Sequence, residues 1–137
     1  MRRLLLTLGE DRRGAAAIEF AIIGPLLFTL LLGIVEMGRM FYVRESLQYA
    51  TEQAARFYTV TPAATWSQVQ SALQNAMAGG MGPSVTVTQD PDVNPCNGKS
   101  SVTCTTIHAT YTFVSVASFL NLGSPVLKAT SQAVRVQ

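Results

Sequence analysis

The sequence predicts an α+β protein with a long N-terminal helix, a short second helix and a small antiparallel β-sheet. Two patterns carry this prediction: an uninterrupted apolar stretch near the N-terminus, and three stretches of alternating β-prone residues towards the C-terminus. The low content of charged residues is a third observation, and it favours a chain of which part lies in a membrane. Only 13% of the 137 residues are charged, against about 25% in an average soluble domain.

The first fourteen residues, MRRLLLTLGEDRRG, form a basic leader. They contain four arginines and two acidic residues, whereas basic and acidic side chains balance in the rest of the chain. The net charge of +2 therefore belongs entirely to residues 1–14. Such a small excess does not favour a nucleic-acid-binding surface, and we predict no nucleic-acid partner.

The apolar run AAAIEFAIIGPLLFTLLLGIV occupies residues 15–35 and predicts a transmembrane helix. A helix of this length spans about 30 Å, which is the thickness of the hydrocarbon core of a bilayer. A cleaved secretory signal is the alternative, but its apolar region is usually shorter and ends at a small-x-small site that is absent here. Because four arginines precede the run, the positive-inside rule predicts a cytoplasmic N-terminus and an extracytoplasmic C-terminal part.

Two residues within this run are unusual. A carboxylate inside a membrane helix is costly and marks function or a specific partner, unless Glu19 simply lies at the membrane interface. Pro25 removes one backbone hydrogen bond and predicts a helix kink, although membrane helices also tolerate proline.

Residues 36–61 are predicted to extend the helix beyond the membrane as an amphipathic segment. One apolar stripe recurs at alternating intervals of three and four: Met40, Val43, Leu47, Ala50, Ala54 and Phe57. We expect the stripe to pack against the protein's own C-terminal part, the alternative being contact with neighbouring subunits. Thr61-Pro62 ends the helix, because the residue before a proline avoids the helical region.

Residues 62–137 are predicted to form the extracytoplasmic α+β domain. A short helix begins at Thr65, with Gln68 as its capping-box partner, and ends at about Ala78. Strands are predicted at 84–89, 102–116 and 126–136. On the second strand Ile107, Ala109, Tyr111 and Phe113 share one face, and Thr106, His108, Thr110 and Thr112 share the other.

Cys96 and Cys104 lie in the part of the chain predicted to be outside the cytoplasm, where disulfides persist. We predict a disulfide that closes a hairpin connection. Zinc binding together with His108 is the alternative, but two thiols and one imidazole lack a fourth ligand.

Asp90, Asp92 and Asn94 form the pattern D-x-D-x-N, which opens EF-hand calcium loops. Pro95 takes the place of the expected glycine, and Ser101 takes that of the distal glutamate. A polar turn is the simpler interpretation, so this is a weak calcium candidate. We predict no cofactor and no other metal.

Nothing in the sequence predicts an enzyme. The chain has one histidine, and it contains no HExxH, GxSxG or phosphate-loop motif.

Residues 12–56 combine a Gly14-x-x-x-x-Glu19-Phe20 core with Pro25, with Glu36 and Gly38, and with Ala54-Ala55-Arg56. The core resembles a prepilin processing site, and together these features resemble the TadE-like proteins, small pseudopilins of Tad-type (Flp-type) pilus and secretion systems. Phe20 stands where major Flp pilins usually have tyrosine, which favours a minor component.

The resemblance implies a pilin-like fold and removal of residues 1–14 by a prepilin peptidase, which cuts between Gly14 and Ala15. The new amino group on Ala15 is positively charged at neutral pH, and Glu19 of an incoming subunit then neutralises the amine of its neighbour. The implied partners are other pilins or pseudopilins, the prepilin peptidase and an inner-membrane assembly platform. The implied location is the bacterial inner membrane, or the pilus itself.

An unprocessed, membrane-anchored module that binds a ligand or partner outside the cytoplasm is the alternative function. It shares the anchor and the α+β domain but gives the Gly14–Glu19 motif no role.

Overall fold

The computed structural model describes residues 14–96, 98–116 and 123–136. The basic leader therefore lies outside the described residues, apart from Gly14. The described elements are helix α1 (Ala15–Val60), helix α2 (Trp66–Ala76) and strands β1 (Thr86–Gln89), β2 (Val102–Thr112) and β3 (Val126–Val136). They confirm the predicted α+β fold. The chain divides into two compact units, one up to Met37 and one from Gly38 onwards.

The first unit contains the apolar beginning of α1. Within the described residues α1 is the only helix long and apolar enough to cross a membrane. Its large apolar side chains are exposed around the whole helix: Ile18, Phe20, Ile22, Ile23, Leu26, Leu27, Phe28, Leu30, Leu31, Leu32, Ile34 and Val35. Each such side chain gains about 1.5–3 kcal/mol when it leaves water, so this surface is suited to lipid or to neighbouring helices.

The second unit is built on the remainder of α1, which packs against the sheet. Val43, Leu47, Ala50 and Ala54 of the predicted stripe are buried, and the partly buried Phe57 packs against the same core. The buried face is wider than predicted, because it also contains Thr51, Ala55 and Tyr58. Thr51 fits in the core because its hydroxyl donates to the Leu47 carbonyl at 2.7 Å.

The three strands form an antiparallel sheet in the order β1-β2-β3. Ile107 and Ala109 on β2 are completely buried, and the inward residues Ala129 and Ala133 of β3 are buried beside them. His108 and Thr110 lie on the opposite, solvent-facing side. The alternation predicted for the second strand is therefore confirmed.

Two predicted strands are shorter in the structure. The first begins at Thr86, because residues 82–84 form a 3-10 turn that contains Pro83. The second was predicted to reach residue 116 but ends at Thr112. There the ladder stops: Phe113 N–H donates to the Pro125 carbonyl, and Pro125 has no N–H to return a bond.

Helix α2 follows α1 in the sequence and precedes the three strands. It contributes Val69 and Leu73 to the core. The predicted capping interaction is formed, since the Thr65 N–H donates to Gln68 Oε1 at 3.0 Å. The helix ends at Ala76, two residues earlier than predicted.

Candidate assembly and interaction sites

The candidate processing site lies where α1 begins. Gly14 is exposed and precedes the first residue of the helix, Ala15. Glu19 follows four residues later, which places it about 6 Å along the helix axis from Ala15, and it is exposed. A carboxylate and the helix N-terminus thus lie one turn apart on the same accessible surface.

Phe20 is 69% exposed, and its ring covers Gly24 on the next turn of α1. A Cβ on Gly24 would meet that ring at 3.5 Å, an ordinary van der Waals distance. Phe20 and Glu19 are consecutive residues, so the ring and the carboxylate are both exposed but project about 100° apart around the helix axis.

Helix α1 continues through Pro25. Pro25 has no N–H to donate to the Ala21 carbonyl, and the Thr29 hydroxyl donates to the Pro25 carbonyl at 2.8 Å. The kink predicted at Pro25 stays a prediction.

Cys96 and Cys104 form a disulfide with their Cα atoms 5.6 Å apart. Cys104 lies in β2, and its backbone exchanges two hydrogen bonds with Val93. The disulfide therefore ties the connection between β1 and β2 to the sheet, as the sequence predicts.

The weak calcium candidates Asp90 and Asp92 bond to different side chains. Asp90 Oδ2 lies 3.1 Å from His108 Nε2 on the solvent-facing side of the sheet. Asp92 accepts hydrogen bonds from the Tyr58 hydroxyl at 3.2 and 3.3 Å. Asn94 precedes Pro95 across a cis peptide bond. In residues 14–96, 98–116 and 123–136, no three His, Cys, Asp or Glu side chains are grouped so that they could hold a metal ion.

Sequence reasoning missed the cluster of Tyr58, Asp92 and Arg135. The Arg135 guanidinium lies over the Tyr58 ring, and its Nη2 donates to the carbonyls of Tyr58 and Thr61 at the end of α1. Burial is the main cause that raises the pKa of Tyr58, followed by the charge of Asp92; Arg135 opposes this shift. The sequence contained one indication of this cluster. Arg135 falls on the same face of β3 as the inward-facing alanines, so a charged side chain is directed towards the core.

An exposed apolar helix that leads into a small α+β unit defines the broad class: a protein suited to membrane anchoring through its N-terminal helix. Residues 14–56 match the family described as TadE-like protein, which is consistent with a TadE-like protein of the Tad pilus system. The match covers about a third of the chain and includes Gly14, Glu19, Phe20 and Pro25. The family is structural and pilus-associated. No curated protein and no solved structure shows significant similarity to the chain.

Proposed function

We propose that the chain is a minor pseudopilin of a Tad-type pilus or secretion system, cut after Gly14 and assembled through its N-terminal helix. One observation carries the proposal: the family match begins at Gly14, and α1 begins at the next residue. A cut between Gly14 and Ala15 would thus release the leader at the boundary of the helix.

The exposed apolar surface of α1 supports assembly through this helix. Twelve large apolar side chains between Ile18 and Val35 are exposed. In the membrane they face lipid, and in a fibre they pack against the helices of other subunits. The same surface suits both environments, because lipid chains and the apolar side chains of neighbouring helices are similarly apolar.

Glu19 supplies the specificity that apolar packing lacks. Cleavage creates a cationic amine on Ala15, and a carboxylate taken into an apolar bundle requires such a partner. Pairing between Glu19 of one subunit and Ala15 of its neighbour fixes the axial register of their helices. Glu19 and Phe20 are both exposed, which suits an intersubunit role.

The leader keeps the precursor in the membrane until it is cut. Its four arginines oppose translocation, so the N-terminus stays in the cytoplasm and residues 62–137 lie outside. The disulfide between Cys96 and Cys104 fits an extracytoplasmic location. The partners in this scheme are other pilins, the prepilin peptidase and an inner-membrane assembly platform.

The processing step is tested by mass spectrometry of the protein purified from its native membranes. We expect a mature chain that begins at Ala15, and a Gly14→Val variant that keeps the leader. A native chain that begins before Ala15 contradicts processing and favours the unprocessed binding module.

The assembly step is tested with Glu19→Ala. We expect a processed, membrane-inserted chain that no longer co-purifies with other pilins. Glu45→Ala is the matched control, because Glu45 is an exposed carboxylate on the same helix beyond the apolar run. Normal co-purification of Glu19→Ala would contradict a registry role for this carboxylate.

A further inference from the structure

The contact between Arg39 and Phe113 marks one end of the second unit. The Arg39 guanidinium lies 5.1 Å from the centroid of the Phe113 ring, and Phe113 follows the last residue of β2. At the other end of the strands, Arg135 of β3 donates to the carbonyls of Tyr58 and Thr61. Within the second unit, α1 therefore runs alongside the strands from one end to the other.

Chain connectivity brings the first of these ends close to the membrane. The apolar run predicted to cross the membrane ends at Val35, and Arg39 is four residues further on. Four residues span at most about 14 Å even when fully extended, and the headgroup layer adds about 5–8 Å to each side of the hydrocarbon core. Arg39 and the end of the second unit that it contacts therefore lie at or near the membrane surface.

We call this part of the second unit the proximal end and define it as residues 39–45, 112–114 and 126–128. Its apolar side chains Phe41, Tyr42, Val114 and Val126 are each more than half exposed. Aromatic side chains, and tyrosine in particular, are enriched where lipid meets water. Exposed valines such as Val136 also occur at the opposite end, so the aromatic pair and the charges, rather than the valines, distinguish the proximal end.

The proximal end also carries the positive charge of the second unit. Residues 38–137 contain six basic and four acidic side chains. Three of the basic residues and one of the acidic residues lie at the proximal end: Arg39, Arg44, Lys128 and Glu45. The other six charges balance, so the whole excess belongs to this end. Arg44 and Lys128 are exposed, and exposed cations near a membrane are attracted to anionic lipid headgroups.

We propose that the proximal end binds the outer surface of the membrane that α1 crosses. Phe41 and Tyr42 lie at the level of the lipid headgroups, and Arg44 and Lys128 bind the phosphates of anionic lipids. The proposal rests on the proposed function, because it requires residues 15–35 to cross the membrane. It goes beyond anchoring, since the second unit then makes its own contact with lipid.

Spin labels on introduced cysteines test this contact in the full chain, reconstituted in vesicles of phosphatidylcholine and phosphatidylglycerol. Both native cysteines form the disulfide, so only the introduced thiol is labelled. Val114→Cys reports on the proximal end. Val136→Cys is the matched control, because Val136 is also exposed and lies about 33 Å along β3 from Val126.

The measurement compares collisions of each label with oxygen, which concentrates in lipid, and with a water-soluble nickel complex. We expect a higher ratio of oxygen to nickel collisions for the Val114→Cys label than for the Val136→Cys label. Equal ratios at the two positions would overturn the proposal. Protection of the Val114→Cys label from both collision partners would also overturn it, and would assign the proximal end to contact with another copy of the chain.

The role of the cations is tested by removing them in pairs. Arg44→Gln with Lys128→Gln removes two exposed cations from the proximal end, and Arg56→Gln with Lys99→Gln removes two from elsewhere in the second unit. Exposed substitutions of this kind change stability little. We expect phosphatidylglycerol to raise the oxygen-to-nickel ratio of the Val114→Cys label in the control pair, and this increase to be lost in the proximal pair. The same increase in both pairs would contradict binding of anionic lipid by Arg44 and Lys128.

A third label, on Leu27→Cys within the apolar run, separates failure of this proposal from failure of the anchor. If the Leu27→Cys label lies in lipid while Val114→Cys and Val136→Cys give equal ratios, the anchor stands and the contact of the proximal end with lipid is wrong. If the Leu27→Cys label is exposed to the nickel complex, the anchor and this proposal are both wrong.

Discussion

The guanidinium of Arg135 lies 3.9 Å from the centroid of the Tyr58 ring and also holds the end of the helix that carries this ring. Its Nη2 donates to the carbonyls of Tyr58 and Thr61, both at 3.2 Å. The last carbonyls of a helix lack intrahelical partners and carry the negative end of its dipole. Arg135 therefore joins the last strand of the sheet to the C-terminal end of α1.

We expect Arg135→Ala to lower the free energy of unfolding by about 2 kcal/mol, because it removes a helix-terminal cation, two hydrogen bonds and a cation–π contact. Denaturant titration followed by the fluorescence of Trp66, the single tryptophan, measures this change. Lys128→Ala is the control, since Lys128 lies on the exposed side of the same strand. Equal losses in both variants would contradict a special role for Arg135.

Local patterns in the sequence were sufficient to predict the elements. The three-four periodicity of Val43, Leu47 and Ala50 predicts which side of α1 is buried, and the alternation from Thr106 to Phe113 predicts the two faces of β2. Each pattern reflects geometry within one element. The ends of the strands were predicted less well, because they depend on contacts such as that of Phe113 with Pro125.

The cluster around Tyr58 could not be predicted, because its members are far apart in the chain. Asp92 was interpreted as part of a calcium-like motif, and only the fold brings it to the Tyr58 hydroxyl. The motif at Gly14, Glu19 and Phe20 is different. It is contiguous, so the sequence alone was sufficient to identify it as a candidate, whereas the role we propose for it depends on other chains.

The raised pKa of Tyr58 predicts a loss of stability at alkaline pH. Below the ordinary tyrosine pKa of about 10 the side chain is protonated in both states and its contribution is complete. As the pH rises above that value the unfolded state releases its proton first, so the free energy of unfolding falls until the folded pKa is passed. Unfolding titrations at several pH values between about 8 and 11, a range that includes the ordinary tyrosine pKa, measure this dependence of the free energy of unfolding on pH.

Tyr58→Phe isolates this effect, since it removes the titrating hydroxyl and keeps the ring under Arg135. We expect the variant to lose part of the alkaline slope. Asp92→Asn is a second variant: it removes a charge that raises the Tyr58 pKa, so the slope should shrink without disappearing. An unchanged slope in Tyr58→Phe would assign the pH dependence to other groups.

Gly82 is predicted to tolerate no side chain. It is buried, and a Cβ there would overlap the carbonyl group of Gln74 in α2. We expect Gly82→Ala to cost about 1–3 kcal/mol, since backbone must move to relieve the overlap. Gly38→Ala is the control, because Gly38 has open space around it and lies within a helix, where alanine is favoured. In thermal unfolding we expect Gly82→Ala to lower the melting temperature and Gly38→Ala to raise it.

Removal of the disulfide should weaken the second unit without unfolding it. The bridge joins residues eight apart, and closing such a loop restricts the unfolded chain by about 2.5 kcal/mol in the chain-entropy model. A paired Cys96→Ser, Cys104→Ser variant should lose about that much in denaturant titration.

Because Cys104 also bonds to Val93 through its backbone, the strand pairing there should persist, and the Cys104 amide should still be protected from hydrogen exchange. A reducing agent should lower the stability of the unaltered chain and leave the variant unchanged. Loss of amide protection along all of β2 in the variant would mean instead that the disulfide is required for the sheet to form.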